Sequence, residues 1–135
     1  MTTNTLQTFP SARHNAINQV NYLRANVVFG AANGVAVVLG AIPAGSIILK
    51  AMSGVQVNTV FNAGTLNTLD VGSAATGTLF SAAGSLTALA FVPLNAATGV
   101  FRVASDTVIT FTPNLTGTAA TTGDADVFIA YIENI

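Results

Sequence analysis

An alternation of period two runs through this chain and constrains its fold more than any other feature. Val55, Val57, Thr59 and Phe61 face one way while Gln56, Asn58 and Val60 face the other, because successive strand side chains leave opposite faces of a sheet. Thr107, Ile109 and Phe111 alternate with Asp106, Val108, Thr110 and Thr112. Val127, Ile129 and Tyr131 alternate in the same way with Asp126, Phe128, Ala130 and Ile132. Similar short runs fall near 22–29, 35–39, 46–52, 66–71, 86–92 and 100–104. Turn-forming clusters separate them: Ala31-Ala32-Asn33-Gly34, Asn62-Ala63-Gly64, Ala96-Ala97-Thr98-Gly99 and Thr121-Thr122-Gly123. Eight or nine strands spaced like this predict an all-β fold, a single antiparallel β-sandwich over residues 21–135.

Alanine dissents. The chain holds 23 alanines, and alanine favours helix over strand. Ser81 to Phe91 is compatible with a helical turn or two, yet no window carries a sustained helical stripe capped at both ends. Small residues therefore read as filling for a tightly packed sandwich and its loops. The tetrapeptide Ala-Ala-Thr-Gly at 74–77 and 96–99 suggests two equivalent hairpin turns.

Residues 1–20 differ in character. They are mostly Thr, Asn and Gln, with Phe9-Pro10 and the pair Arg13-His14, and such a segment buries too little to order itself. It reads either as a frayed tail or as an extended N-terminal arm that orders against a neighbouring subunit. In the second case Phe9 is the apolar anchor, and Arg13, His14 and Arg24 are the polar contacts to a partner.

Charge excludes several functions. Only Arg13, Arg24, Lys50 and Arg102 are basic, and only Asp70, Asp106, Asp124, Asp126 and Glu133 are acidic. The charged fraction is 7%, against about 25% in an ordinary soluble domain. A surface that poor in charge is ill suited to keeping a free monomer apart from its neighbours, so part of it is expected under other protein. Four scattered basic residues give no electrostatic footprint for nucleic acid. With no cysteine, disulfides, thiolate metal sites and Cys nucleophiles are impossible. Residues 1–20 lack an apolar signal-peptide core, so the chain reads as made in a cytoplasm.

A membrane span is the rival to a sandwich. Mean hydropathy is +0.64, and the run from Arg24 to Lys50 is uncharged and long enough to cross a bilayer. Asn26, Asn33, Pro43 and the glycines at 30, 34, 40 and 45 interrupt it at spacings that suit turns. The GxxxG pair Gly30 and Gly34 is of a frequency that chance supplies in so glycine-rich a chain.

Little catalytic chemistry is written here. The single histidine, His14, sits in the arm, away from a rigid scaffold. No nucleophile elbow, phosphate loop or dinucleotide fingerprint occurs. Asp124 and Asp126 are the one local carboxylate pair, on one face of a strand at i and i+2, which suits a cation or a general acid/base couple. The simpler reading makes them solvated charges at the start of the last strand that discourage edge-to-edge pairing. The chain is not expected to be an enzyme, and no cofactor or metal is implied. The phenylalanines at 29, 61, 80, 91, 101, 111 and 128 read as core or interface filling. The absence of tryptophan lowers a sugar-binding reading without removing it.

Two stretches carry a resemblance. The first spans residues 42–72, from Ile42-Pro43-Ala44-Gly45 through Val55-Gln56-Val57-Asn58-Thr59-Val60-Phe61-Asn62-Ala63-Gly64-Thr65 to Thr68-Leu69-Asp70-Val71-Gly72. The second is Asp106-Thr107-Val108-Ile109-Thr110 with Thr122-Gly123-Asp124-Ala125-Asp126-Val127-Phe128-Ile129-Ala130-Tyr131-Ile132. This pattern resembles the capsid decoration, or cement, proteins of tailed bacteriophages, small head proteins with a jelly-roll-like sandwich. Similar segments also resemble parts of head fibres and tail components. The resemblance implies a structural virion protein on the outer capsid surface, bound to the major capsid protein as a homo-oligomer, a dimer or trimer, and stabilising the mature lattice. It implies no nucleic-acid or membrane partner. Two other classes stay open: a fibre or tail module that binds a host receptor or glycan through an exposed aromatic or a carboxylate-lined pocket around Asp124 and Asp126, and a membrane-embedded oligomer built from residues 25–49.

Overall fold

The computed structural model describes residues 19–96 and 102–133. The described strands are β1 (Val20–Val28), β2 (Val37–Ile42), β3 (Ile47–Ile48), β4 (Gly54–Thr59), β5 (Leu66–Ser73), β6 (Ser81–Ser85), β7 (Phe91–Pro93), β8 (Thr107–Thr116) and β9 (Asp124–Ile132). They form two antiparallel sheets. The first has the order β1-β9-β4-β7, with β3 also on β9, and the second β2-β8-β5-β6. β3 and β4 lie in line against β9 and amount to one strand, broken by a 3-10 turn at Lys50–Met52. Apart from that break and the β5–β6 neighbours, every connection crosses from one sheet to the other. This is the order of a jelly roll, two interleaved Greek keys.

Alternation explains the burial. On β9, Ala125, Val127, Ile129 and Tyr131 face inward and meet Val55 and Val57 of β4 and Val27 of β1. From the other sheet come Ile42, Leu69, Val71, Ile109 and Phe111, with Phe61, Phe80 and Leu86 closing the core from the loops. Each such aliphatic or aromatic side chain contributes roughly 1.5–3 kcal/mol on burial. Leu86 is fully buried one residue beyond β6, with its N–H bonded to the Asn67 carbonyl of β5 at 3.0 Å.

The run near 86–92 resolves into β7 alone, and 81–85, with no apolar alternation, is the strand β6; neither is helical. The run near 100–104 appears among the described residues only as a bridge from Arg102 to Ile47. The expected strand ending near Thr112 continues to Thr116 through Pro113. Proline is normally kept out of central strands because it has no N–H. Pro113 accepts from Gly34 N at 2.8 Å through its carbonyl, in the loop before β2. Nitrogen and carbonyl of one strand residue face the same neighbour, so the missing N–H faces that loop and not β5.

The uncharged run 25–49 is spent on the end of β1, on β2 and on β3. Among the described residues no helix is long and apolar enough to cross a membrane. Gly34 has φ +70°, which fits the turn read at 31–34. Gly123 has φ +147°, and a Cβ there would run into the Phe61 ring. The Ala-Ala-Thr-Gly at 74–77 is the β5–β6 turn; its counterpart at 96–99 lies mostly outside the described residues.

Candidate functional site

The outward face of the first sheet collects residues from four strands. Register sets Asn26 of β1, Asp126 of β9, Gln56 of β4 and Phe91 of β7 side by side. The next row along is Arg24, Phe128, Gly54 and Pro93, and beyond it Tyr22 stands beside Ala130. All of these are outward positions of their strands, so alternation puts them on the face away from the core.

Gly54 shapes the aromatic part. A Cβ there would strike the Val92 carbonyl and come within 3.0 Å of the Phe91 ring. With only hydrogen at that position, Phe91 lies across β4 and stacks on Phe128, with ring centroids 5.7 Å apart and planes 25° from parallel. Offset stacking of this kind holds both rings in place. Tyr22 is 54% exposed. Together with Phe128, Arg24, Gln56 and Asp126 it lines a groove of ≈ 380 Å³, within the size range of small-ligand sites.

The polar part is a connected set. Arg24 Nη2 pairs with Asp126 Oδ1 at 3.2 Å, and Asn58 Nδ2 donates to Asp126 Oδ2 at 3.0 Å. Asn26 donates to Asp124 Oδ1 and, at 3.1 Å, to the Ala125 carbonyl. The Asn58 hydrogen bond and then Arg24 hold the Asp126 carboxyl below its ordinary range, against the opposing effect of burial. Asp126 is thus kept ionised and oriented in the groove wall.

The two carboxylates read from the sequence do share one face. The role of guarding an edge does not hold, because β9 lies inside the sheet, between β1 and the β3–β4 strand. Protein donors meet both carboxylates, and no cluster of three or more metal-ligating acids or histidines occurs among the described residues. Arg24 sits on β1 with its side chain 70% exposed. Phe9, Arg13 and His14 lie outside the described residues. Of the phenylalanines, Phe61, Phe80 and Phe111 are core, whereas Phe29 and Phe91 are exposed. Sequence reasoning did not bring Tyr22, Gln56 and Phe128 together, since alternation says which residues share a face of one strand but not which strands are neighbours.

Fold and site define a jelly-roll protein with one face that combines aromatic rings and planar polar side chains. No protein-family model matches the chain, and no curated protein matches it. Among solved structures it is similar to a chain of the cyanophage Pam1 capsid asymmetric unit, with 20% identity and a TM-score of 0.63. The likeness covers 93% of this chain and 91% of that one, and at this identity it is a likeness of fold.

Proposed function

We propose that this protein is a structural component of a phage virion, a decoration protein that binds the outer surface of the capsid and stabilises the mature lattice. The observation that carries the reading is the shared jelly roll, matched over nearly the whole length of both chains, with a chain of a phage capsid asymmetric unit. The surface supports it. Val38, Leu89, Val35 and Leu79 are large apolar side chains left exposed in a chain with 7% charged residues, a surface ill suited to staying apart from other protein. Its partner is the major capsid protein, which it engages as a homo-oligomer, with Phe9, Arg13, His14 and Arg24 as contact residues.

The mechanism is mass action. A protein that binds the mature lattice but not its precursor or its separated subunits stabilises that lattice by its binding free energy. Many copies engaged at once add avidity. No bond is made or broken, so the reading needs no catalytic residue.

The test is co-sedimentation of the purified protein with mature and with unexpanded shells of its source virus, with the oligomer mass read by light scattering. Saturable binding to mature shells alone by a discrete oligomer is the expected result. A well-behaved oligomer that binds neither shell would refute the decoration role and favour a fibre or tail module.

A further inference from the structure

We propose that the groove between β1, β9 and β4 binds a neutral pyranose unit of a polysaccharide chain, seated on Tyr22 and Phe128. This goes beyond the capsid reading and does not depend on it. A pyranose has one face of C–H groups and a rim of hydroxyls that both donate and accept. The groove offers the matching pair of surfaces: the exposed Tyr22 ring with the half-buried Phe128 ring, and planar polar groups around them.

Three features of the site choose this ligand over others. First, the two charges that line it are paired. Arg24 and Asp126 lie 3.2 Å apart, so the lining offers no unpaired charge to an anion or a cation, and Asp124 beyond it accepts from Asn26. Each still has hydrogen-bonding capacity for a ligand, since a guanidinium carries five N–H donors and a carboxylate about four lone-pair sites. Second, the wall is a mixed set. Arg24 donates, Asp126 accepts, and Gln56, which donates one of its two amide N–H groups to the Val57 carbonyl at 3.2 Å, has its carbonyl oxygen as an acceptor. Planar groups of this kind can bridge adjacent hydroxyls, and the bonds to ionised partners are the stronger ones.

Third, this face gathers carboxylates, and Asp is depleted from the cores of protein interfaces even where Arg and aromatic residues are enriched. This chain has only four basic and five acidic residues, yet Arg24, Asp124 and Asp126 stand together on this face. The Phe128 ring is also held before a ligand arrives, because Phe91 braces it across Gly54. A preorganised ring loses little freedom on binding. The groove lies on the open face of a sheet, so a sugar seated in it leaves room for its neighbours in a chain, which favours a polysaccharide over a free monosaccharide.

The test uses the full chain and four neutral probes: maltotetraose, cellotetraose, chitotetraose and an oligomer of L-rhamnose, with a heparin tetrasaccharide as a polyanionic comparison. Binding is read by saturation-transfer NMR and by tyrosine emission. The chain has two tyrosines and no tryptophan, and Tyr131 is buried while Tyr22 lines the groove. The expected result is saturable binding of at least one neutral probe, with transfer concentrated on ring C–H protons. Tyr22→Ala and Gln56→Ala should each weaken it by roughly fivefold or more, the scale of one aromatic or charge-free polar contact, while Tyr22→Phe retains it. Both positions are on the surface, and circular dichroism checks that the variants fold. Failure of all four neutral probes, a preference for heparin, or binding unaltered in Tyr22→Ala overturns the proposal. Shell co-sedimentation of the same Tyr22→Ala protein reads the capsid function separately.

Discussion

Two buried serines should respond to the same substitution with opposite signs. Ser46 and Ser53 are both fully buried. Ser53 sits where the β3–β4 strand breaks, and its hydroxyl replaces the ladder there. It donates to the Leu49 carbonyl at 2.8 Å and accepts from the Ala130 N–H at 2.8 Å. Ala130 turns its carbonyl to the same side, where it accepts from Leu49 N at 2.8 Å, so its N–H faces Ser53 and not β1. Ser53→Ala leaves that N–H buried without an acceptor. The Leu49 carbonyl loses less, since it also accepts from Met52 N at 3.1 Å. One orphaned buried donor costs about 1–3 kcal/mol, and a loss of about 2 kcal/mol lowers Tm by about 8 °C in a domain of this size. The Ser46 hydroxyl is buried and has no hydrogen-bond partner among the described residues. Ser46→Ala therefore removes a penalty and should leave stability unchanged or raise it by up to about 1 kcal/mol. Urea and thermal unfolding of both variants, at one protein concentration so that any oligomer contributes equally, measure the difference. If Ser53→Ala unfolds within 0.5 kcal/mol of the parent, a margin at about the scatter of neutral surface changes, or Ser46→Ala proves the more damaging, the reasoning fails.

Gly54→Ala should cost roughly 1–3 kcal/mol, because the new methyl meets the Val92 carbonyl and the Phe91 ring; near-ultraviolet circular dichroism should show the Phe91–Phe128 stack disturbed. Asp126 is held below its ordinary range chiefly by Asn58. A depressed carboxylate contributes stability that is present above its unfolded pKa, near 3.9, and lost as pH falls through the lower folded value. In Asn58→Ala the Asp126 titration, followed by carboxyl NMR, should move up toward that reference; an unmoved titration would assign the depression to another group. Tyr131 is pushed above its ordinary value by burial and, secondarily, by Glu133. Its neutral form is favoured in the fold, so its contribution is present below pH 10.0 and lost as pH rises through the folded value. Tyrosinate absorbance of a Tyr22→Phe variant should therefore show Tyr131 ionising only above the ordinary tyrosine value, as the fold loosens.

Much of the fold was legible because burial on one side writes itself as alternation. The run at 126–132 became part of β9 with its inward and outward sets as read; that at 55–61 became β4 with Val55 and Val57 inward, but a bulge after Val57 leaves Thr59 exposed, and Phe61 enters the core from beyond the strand. Where other physics set the strand, the pattern failed. Ser81–Ser85 joins β5 through backbone pairing and has no alternating apolar residues to show it. Pro113 reads as a stop until the Gly34 contact shows which way its nitrogen faces. The site was half legible. Asp124 and Asp126 were visible as a same-face pair, but their partners Asn26 and Asn58 come from strands far away in sequence. The long-range register that joins them leaves no local mark.

The position of β9 also sets the order in which the molecule can be built. It is the last of the described strands in sequence, yet it lies in the middle of its sheet, with Val20 opposite Ile132 on one side and Gly54 opposite Phe128 on the other. A ribosome therefore delivers β1, β3 and β4 before the strand that joins them. Until it emerges, each presents an unpaired edge, and such edges invite pairing with another chain. Closing contacts so distant in sequence is slow, in the range of milliseconds to seconds for comparable all-β domains. Where many copies are made at once, that interval is when one nascent chain can borrow the β9 of another, and an exchanged dimer would have the same sheets as the monomer.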